Sequence, residues 1–342
     1  MADSTVDPFN PYKDAYANLN GPGDARPTAL QILRDNKCIN QWSDKVVLIT
    51  GATNGIGIET TRAMHATGAH VFITARDTVR GQAVVENILQ SSEGNGRLEV
   101  IEMHMESLDS VKRAAREFLD KSKKLNILIN NAGIMATPET KSADGFELQF
   151  AVNHLAHYTL TTLLLPALLE SSSSGFSSRV VFVSSSSHRY SSIHWDNINL
   201  EREYDGFIAY GQSKTAEIWT SNYIDRVYGP RGVHSTSLHP GGIWTGLQAA
   251  AGEEQVKKWQ EDPNITPFMM NAAQGSATTV WAATAKVWEG KGGKYLADCT
   301  IAQPATNTSS ALDSGVGPDA YNEEGENRLW DLSSKLTGVK AP

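Results

Sequence analysis

Cysteine is scarce in this sequence of 342 residues, which contains only Cys38 and Cys299. Two cysteines are too few for a disulfide framework or a thiolate metal site, and they suit a reducing compartment. Long apolar runs are also missing, because the longest, LLLPALL from Leu163, is too short to span a bilayer. The amino terminus, MADSTVDPFN, lacks the basic and apolar regions of a secretory signal. These absences predict a cytoplasmic protein without a transmembrane segment.

Positive charge is in deficit, with 30 Lys and Arg against 38 Asp and Glu and a net charge of -8. Binding to nucleic acid or to an anionic membrane requires clustered basic residues. The one dense basic run, KSKK at 121–124, follows a predicted helix, where it suits the negative end of the helix dipole. We therefore predict no nucleic-acid partner.

From Lys45 onward, short apolar runs alternate with longer amphipathic segments. This alternation predicts right-handed βαβ crossovers and a parallel sheet that is covered by helices on both faces. We predict a single α/β domain over 43–342, a Rossmann-type doubly wound sheet in three layers. The predicted strands are 46–50, 71–74, 98–103, 127–130, 180–184 and 233–238, and the predicted helices are 56–68, 78–92, 109–122, 144–169 and 210–228.

Two segments depart from the alternation. Residues 1–42 are rich in Pro, Gly, Asn and Asp and contain one apolar patch, TALQILRDN, which predicts an extension that lies on the domain. Residues 246–270 are polar and helical and follow directly on a turn, so we interpret them as a substrate loop or lid.

The stretch TGATNGIG follows the first predicted strand and leads into a helix. In this context the backbone N–H groups of a turn and the helix N-terminus receive a pyrophosphate. The spacing G-x3-G-x-G resembles the cofactor turn of the short-chain dehydrogenase/reductase family. The predicted cofactor contacts in this turn are Gly51, Asn54, Gly55, Ile56 and Gly57.

The end of the second strand indicates which dinucleotide binds. An acidic residue there accepts hydrogen bonds from the adenosine ribose of NAD, whereas the 2′-phosphate of NADP requires a cation. The sequence VFITARD has Ala75 in the acidic position and Arg76 next to it. Because a guanidinium donates two parallel bonds to a phosphate, we predict NADP(H), with NAD(H) as the alternative. Asp77 is interpreted as the cap of the next helix.

The stretch YGQSK places Tyr210 and Lys214 one helical turn apart. Taken alone, such a pair is also expected from a half-buried tyrosine beside a surface lysine. Other motifs of the same family occur in the family's order over about 45–300: NNAG at 130–133, VNHLAHY, VFVSSSS and LHPGGIWTGL. The sequence is most similar to the retinol-dehydrogenase-like and WW-domain-oxidoreductase-like branch, through stretches such as NHLAHYTLT, IHWDNINLEREYDG and GGKYLADC.

The resemblance implies a catalytic tetrad of Asn153, Ser185, Tyr210 and Lys214. A carbonyl that accepts hydride needs a proton on its oxygen, and tyrosine, with an ordinary pKa of ~10, is activated by a nearby cation. By the family pattern, Ser185 contacts the substrate oxygen and Asn153 holds a water of a proton relay. Lys214 also binds the nicotinamide ribose. Further cofactor contacts implied are Asn131, Ala132, Gly133, Tyr210, Pro240, Ile243 and Thr245.

Several histidines invite a functional interpretation. His104 and Met105 stand where the family has Asp-Leu, so His104 is a candidate replacement for the adenine contact. His154 and His157 are three residues apart, but no third ligand has suitable spacing. We predict no metal and favour a helix-face or subunit-contact role for them. Residues His188, Tyr190 and His194 either line the site or belong to a turn.

The tryptophans suggest the character of the substrate. Trp195, Trp244 and Trp259 fall in loops expected near the site, whereas Trp281 and Trp288 are predicted in the core of a late helix. An aromatic wall favours a lipophilic or ring-containing small molecule.

The sequence thus predicts an NADP(H)-dependent oxidoreductase that interconverts a ketone or aldehyde and an alcohol, with reduction favoured. One alternative is oxidation of a lipophilic alcohol, retinoid-like or sterol-like. Another is a regulatory dinucleotide-binding protein without turnover, which the joint presence of the four tetrad residues disfavours. The family pattern also implies a possible homodimer through the helices at 144–169 and 210–228.

Overall fold

The computed structural model describes residues 7–342, so residues 1–6 of the predicted extension and acidic amino terminus lie outside the described residues. Its β-structure consists of a central eight-stranded sheet and a separate two-stranded sheet. The strands are β1 (Val46–Ile49), β2 (His70–Ala75), β3 (Arg97–Glu102), β4 (Ile127–Asn130), β5 (Ser178–Val183), β6 (Val233–Leu238), β7 (Gly242–Ile243), β8 (Met269–Met270), β9 (Lys294–Ala297) and β10 (Thr300–Ile301).

The central sheet has the strand order β10-β9-β6-β5-β4-β1-β2-β3. Neighbouring strands are parallel except for β9 and β10, which are antiparallel. The chain adds strands to one side of β1 and then, from β4, to the other side. Ligands bind doubly wound sheets at this switch point, beyond the carboxyl ends of the strands. The predicted Rossmann-type doubly wound sheet is confirmed.

Helices cover both faces of the sheet. Val47 and Ile49 of β1 belong to one buried cluster, whereas Val46 and Leu48 belong to the cluster on the opposite face. Both faces of β1 are therefore buried, as three layers require. The helices are α1 (Ala29–Asp35), α2 (Gly55–Ala66), α3 (Thr78–Ser91), α4 (Leu108–Lys121), α5 (Ala156–Ser171), α6 (Gly206–Tyr228), α7 (Glu253–Glu261), α8 (Ala272–Gly275), α9 (Ala277–Thr284) and α10 (Glu323–Thr337).

The predicted helix at 144–169 is wrong at its beginning. A π-helical segment, Phe150–Leu155, precedes α5. The Glu147 carboxylate accepts hydrogen bonds from the backbone N–H groups of Gln149 (2.9 Å) and Phe150, so it caps the first turn at this position. The helix predicted at 210–228 begins four residues earlier, because Asp205 caps it.

The hairpin of β9 and β10 is not among the strands predicted from the sequence. Its two-residue connection, Asp298 and Cys299, has φ of 53° at both positions. Tight hairpin turns require such left-handed conformations, which non-glycine residues rarely adopt. A turn without glycine gives no clear signal in the sequence.

The N-terminal extension contributes to the core of the described chain. Helix α1 places the fully buried Ile32 and Leu33 in the same cluster as the inner side chains of α2 and α9. Arg26, also buried, donates hydrogen bonds to the carbonyl oxygens of Phe268 (2.8 Å) and Met269 (2.7 Å). The extension is thereby attached to both the core and the end of segment 246–270.

We expect Leu33→Ala to lower the free energy of unfolding by about 2–5 kcal/mol, because it leaves a cavity in a filled core. The matched control is Gln31→Ala in the same helix, where the side chain is exposed. That change should stay within about 0.5 kcal/mol. Denaturant unfolding of both variants measures the difference. Equal stabilities would show that α1 does not contribute to the folded core.

The helices that were predicted to form a homodimer are partly covered within the chain. Trp330 of α10 stacks on Tyr223 of α6, with ring centroids 4.2 Å apart, and its edge contacts Tyr158 of α5 at 4.8 Å. The homodimer stays a prediction. Within residues 7–342, every helix is too short or too polar to cross a membrane.

Candidate active site

A continuous cavity of about 1310 Å³ lies beyond the carboxyl ends of the central strands. Each strand end supplies part of its wall: Gly51 after β1, Arg76 after β2, Asn131 after β4, Ser185 after β5 and Pro240 after β6. The predicted cofactor residues all line this cavity: Gly51, Asn54, Gly55, Ile56, Gly57, Arg76, Asn131, Ala132, Gly133, Tyr210, Lys214, Pro240, Ile243 and Thr245.

The glycine turn, the start of helix α2 and the segment after β4 are in close contact. Gly51 has φ of 66°, and a Cβ there would lie 2.6 Å from Cα of Ala132. A Cβ on Gly57 would lie 2.2 Å from the carbonyl oxygen of Gly51. Helix α2 begins at Gly55, directly after the turn, and its N-terminus is aimed at the cavity wall. The turn therefore presents N–H groups and the positive end of a helix dipole, which suits a pyrophosphate.

Gly57→Ala should weaken cofactor binding, because the turn must move to admit the methyl group. We expect a cost of roughly 1–3 kcal/mol, as in other overpacked sites. Gly175→Ala is the control, since a Cβ there meets nothing within 4 Å. Titration of NADPH by fluorescence measures both. If Gly57→Ala binds as tightly as Gly175→Ala, the turn is not the cofactor cradle.

The end of β4 holds the turn in place. The side-chain amide of Asn131 donates to the carbonyl oxygens of Thr50 (2.9 Å) and Gly51 (3.2 Å). In return, Oγ1 of Thr50 accepts from the backbone N–H groups of Asn131 and Ala132, both at 2.9 Å. The NNAG motif thus braces the glycine turn.

At the end of β2, a basic residue follows the position where NAD-binding folds have an acidic one. Ala75 is buried at the strand end, and Arg76 is exposed on the cavity wall. The Asp77 side chain accepts from the backbone N–H groups of Val79 (2.9 Å) and Arg80 (3.1 Å), so it caps α3 as predicted. Its carboxylate is thereby engaged with the helix.

His104 is not placed on the cavity wall. Its ring lies between the carboxylates of Glu102 (3.2 Å) and Glu106 (3.4 Å). The neighbours Met103, Met105 and Glu106 line the cavity instead. The expected adenine contact by His104 is therefore not supported by its position.

Tyr210 and Lys214 meet Ser185 inside the cavity. Tyr210 and Lys214 are each only 3% exposed, and Ser185 is 9% exposed. The ammonium of Lys214 lies 5.5 Å from the centroid of the Tyr210 ring. Oγ of Ser185 accepts from the backbone N–H of Ser187 at 3.1 Å, which leaves its own O–H available to donate. The three side chains converge although they come from two different elements.

The electrostatics of Tyr210 are set by opposing effects. Burial raises its pKa, the Lys214 cation and the neighbouring Ser185 side chain lower it, and Glu217 raises it. The net pKa lies above the ordinary value, so the phenol is protonated at neutral pH. The expected lowering by Lys214 is present but is outweighed. A protonated, buried phenol is suited to donate a proton.

Asn153 lies behind the wall rather than on it. Its side chain is fully buried, donates to the Ile134 carbonyl oxygen (3.0 Å) and to Oγ of Ser213 (2.8 Å), and accepts from the Ile134 N–H (2.9 Å). It joins the segment after β4 to the helix that carries Tyr210. Its sequence signal is the motif VNHLAHY, whereas the π-helical turn around it departs from the regular helical pattern.

Segment 246–270 covers one side of the cavity. Its ends are joined to the rest of the wall by the parallel pair β7–β8, where Gly242 faces Met269. Trp244 and Trp259 line the cavity, as predicted. Trp195 does not, because it stacks on Trp219 in a separate buried cluster with ring centroids 6.0 Å apart. The lining aromatic and sulfur-containing side chains in or beside this segment are Trp244, Trp259, Phe268, Met269 and Met270.

The two late tryptophans and the histidine pair are buried in the interior of the protein. Trp281 in α9 and Trp288 just beyond it are each 1% exposed, and their rings meet edge to face. His154 contacts the Ser333 hydroxyl at 2.7 Å, and His157 contacts Oγ1 of Thr50 at 2.8 Å. Both histidines are buried on helical segments with partners inside the chain, which agrees with the predicted helix-face role rather than with a subunit contact.

Of the three candidate residues that follow Ser185, Tyr190 lines the cavity, whereas His188 and His194 do not. His188 is buried and accepts from the backbone N–H of Gly317 at 2.8 Å. His194 contacts the Ser191 hydroxyl at 3.0 Å.

Asp298 and Glu217 are acidic residues near the site that are not among the predicted site residues. Asp298 lines the cavity from the β9–β10 turn, and its carboxylate accepts from Ser314 at 2.7 Å. Glu217 is completely buried beside Lys214. For Glu217 the only signal was its place one turn after Lys214 in YGQSKTAE.

Fold and site together define a dinucleotide-binding α/β enzyme of the Rossmann type. The family model for short chain dehydrogenases matches residues 45–256. The short-chain dehydrogenase/reductase prx1 of Penicillium rubens is 51% identical over 325 residues, covering 95% of this chain and 94% of that protein. Retinol dehydrogenase 11 of Homo sapiens is 34% identical over 317 residues, covering 92% and 93%.

Among solved structures, an uncharacterized protein from Mycobacterium paratuberculosis is 29% identical with a TM-score of 0.67, covering 93% of this chain and 99% of that chain. The chain belongs to the short-chain dehydrogenase family, in its retinol-dehydrogenase-like branch. It is therefore an oxidoreductase of a family that uses a nicotinamide dinucleotide.

The residues present fit such a cofactor. The cavity runs without interruption from Arg76, past the glycine turn, to Tyr210 and Lys214. Gly133 lies next to the reacting groups, since an added Cβ there would be in ordinary contact, at 3.5 Å, with both Oδ1 of Asn153 and Nζ of Lys214. A cation at one end, N–H groups in the middle and hydroxyl donors at the other end match the phosphates and ribose of a dinucleotide.

Proposed function

We propose that this protein is an NADP(H)-dependent oxidoreductase that interconverts a ketone or aldehyde and an alcohol on a lipophilic or ring-containing small molecule. The observation that carries the proposal is the convergence of Ser185, Tyr210 and Lys214 on the cavity that also contains the glycine turn. Residues 43–342 form the catalytic domain in this proposal, and residues 1–42 are its extension.

The proposed mechanism involves four side chains, those of Asn153, Ser185, Tyr210 and Lys214. When bound, the nicotinamide supplies the hydride for reduction or accepts it in oxidation. The hydroxyls of Ser185 and Tyr210 donate hydrogen bonds to the substrate oxygen, where negative charge develops. In reduction, Tyr210 passes its phenolic proton to that oxygen. In oxidation, the Tyr210 phenolate accepts the proton of the alcohol. Lys214 stabilises the phenolate and binds the nicotinamide ribose. Asn153 completes the proposed tetrad: it holds the backbone after β4 and, as the family pattern implies, a water of the proton relay.

The choice of NADP(H) rests on Arg76. Its guanidinium is on the cavity wall, and the one nearby acid on the same strand end, Asp77, is engaged in capping α3. A free cation next to a neutral strand end favours a 2′-phosphate over a bare ribose hydroxyl.

The proposed substrate class rests on the wall formed by segment 246–270 and its neighbours. Trp259 meets Phe207 edge to face at 6.4 Å, and Met269 and Met270 lie alongside. Aromatic and thioether side chains bind apolar ring surfaces well. Oxidation of a lipophilic alcohol is the second candidate, because a relative that is 34% identical is named a retinol dehydrogenase.

A panel of ketones, aldehydes and alcohols, followed by loss or gain of NADPH absorbance, tests the proposal. We expect turnover of lipophilic members and little of small polar ones. Faster oxidation than reduction of the same pair at neutral pH would favour the second candidate. Tight NADPH binding with no turnover across the panel would instead indicate a regulatory dinucleotide-binding protein.

A further inference from the structure

Glu217 lies one helical turn after Lys214 and has no part in the mechanism above. Its side chain is completely buried, and Oε2 accepts a hydrogen bond from Nζ of Lys214 at 2.9 Å. The same ammonium donates to the carbonyl oxygen of Val183, also at 2.9 Å. Two of the three protons of the Lys214 ammonium are therefore donated to acceptors within the protein, and the third remains for a ligand.

The other carboxylate oxygen of Glu217 lies next to His157. Oε1 of Glu217 is buried without a hydrogen-bond partner and lies 3.7 Å from Nδ1 of His157. That ring bonds through Nδ1 to the Asn153 carbonyl oxygen (2.7 Å) and through Nε2 to Oγ1 of Thr50 (2.8 Å). Since Thr50 braces the glycine turn, contacts through His157 connect Glu217 and Lys214 with the cofactor cradle.

A buried carboxylate with an unsatisfied oxygen destabilises a fold unless something offsets the cost. Here the offset is the ion pair with Lys214. The pair has a functional consequence, because a negative charge beside Lys214 and Tyr210 makes proton loss from either of them harder.

We propose that Glu217 is a positioning residue that fixes the Lys214 ammonium and sets the pH range in which Tyr210 is available as the proton donor. This inference rests on the proposed function of Tyr210. Glu217 acts through Lys214 and does not contact the substrate.

Glu217 raises the pKa of both Lys214 and Tyr210. Burial lowers the pKa of Lys214, but Glu217 and Tyr210 raise it, and the net shift is upward. Burial, and to a smaller extent Glu217, raises the pKa of Tyr210 against the effect of Lys214. Removing the charge of Glu217 must therefore lower the pKa of whichever group loses its proton first.

The other titratable groups near Tyr210, Lys214 and Glu217 do not change the direction of these pKa shifts. Burial lowers the pKa of His154 to about 3, of His188 to about 4 and of His239 to about 3, so these rings are uncharged at neutral pH. Burial raises the pKa of Tyr295 well above its ordinary value. The titratable or charged groups that face the cluster are His154 and His157 next to α6, His188, Arg189 and His239 beyond β5 and β6, and Tyr295 in β9.

The test is Glu217→Gln, which keeps an oxygen that accepts from Lys214 but removes the charge. Carbonyl reduction needs protonated Tyr210, so kcat/KM declines as pH rises through the pKa. In the variant this decline should move to lower pH by about one unit or more. The affinity for NADPH, measured at neutral pH by fluorescence, should stay close to that of the wild type.

The control is Glu326→Gln, which removes another buried carboxylate that is paired with Arg226, far along α6. It should reduce stability without moving the pH profile. If Glu217→Gln behaves like this control, with lower stability and an unmoved profile, Glu217 is only structural and the proposal is overturned.

A second measurement does not depend on the variant's folding. Tyrosinate absorbance of the wild type minus that of Tyr210→Phe reports the titration of Tyr210 in the cofactor-free protein. We expect a pKa above the ordinary value of ~10. A pKa below it would overturn the proposal. Should Tyr210→Phe retain full turnover, the proposed function itself fails, which is a distinct outcome.

Discussion

Tyr210→Phe is expected to reduce turnover by roughly 10²–10⁴-fold, the usual contribution of a positioned acid. The ring stays in place, so packing in the buried site is retained, but no proton is available for the substrate oxygen. The affinity for NADPH should change little, because the glycine turn, Arg76 and Lys214 are untouched. Steady-state rates and NADPH titration measure the two quantities separately.

The matched control is Tyr190→Phe, since Tyr190 lines the same cavity after Ser185. It should retain turnover of the same order as the wild type. Full activity of Tyr210→Phe would remove Tyr210 from the mechanism. A parallel loss in both variants would point to cavity polarity rather than to a proton donor.

Arg76→Ala should weaken NADPH binding by roughly tenfold or more, the effect of losing a charge-assisted hydrogen bond to a phosphate. NADH lacks the 2′-phosphate, so its affinity should hardly change. The ratio of the two dissociation constants is the measurement, because it cancels any general effect of the substitution on the cavity.

Arg80→Ala provides the comparison, as Arg80 is exposed on the next helix and is not part of the cavity wall. It should leave both affinities unchanged. Equal weakening of NADPH and NADH by Arg76→Ala would contradict the assignment of the 2′-phosphate to this residue.

Local features of the chain were predictable to within a few residues. Strands at 127–130 and 233–238 match β4 and β6 without adjustment, because each is a short segment between longer segments with a helical pattern. The glycine turn was equally clear, since a turn that must approach other backbone closely accepts only glycine.

Features that depend on distant partners were not predictable. The start of the helix before α5 is decided by the Glu147 carboxylate, and the hairpin at Asp298 forms without a glycine. The position of His104 between two glutamates, away from the cavity, likewise depends on side chains that only the fold brings together.

Sequence alone determined the family, the doubly wound sheet and the side chains that meet at the switch point, because these depend on hydrophobic periodicity and on short motifs. Tertiary structure decided what surrounds them. It buried Glu217 against Lys214, turned Asn153 towards the backbone after β4, and raised the pKa of Tyr210 despite the neighbouring cation. The physical reason is that burial and charge pairing are properties of a site's whole environment, which residues far apart in the chain create together.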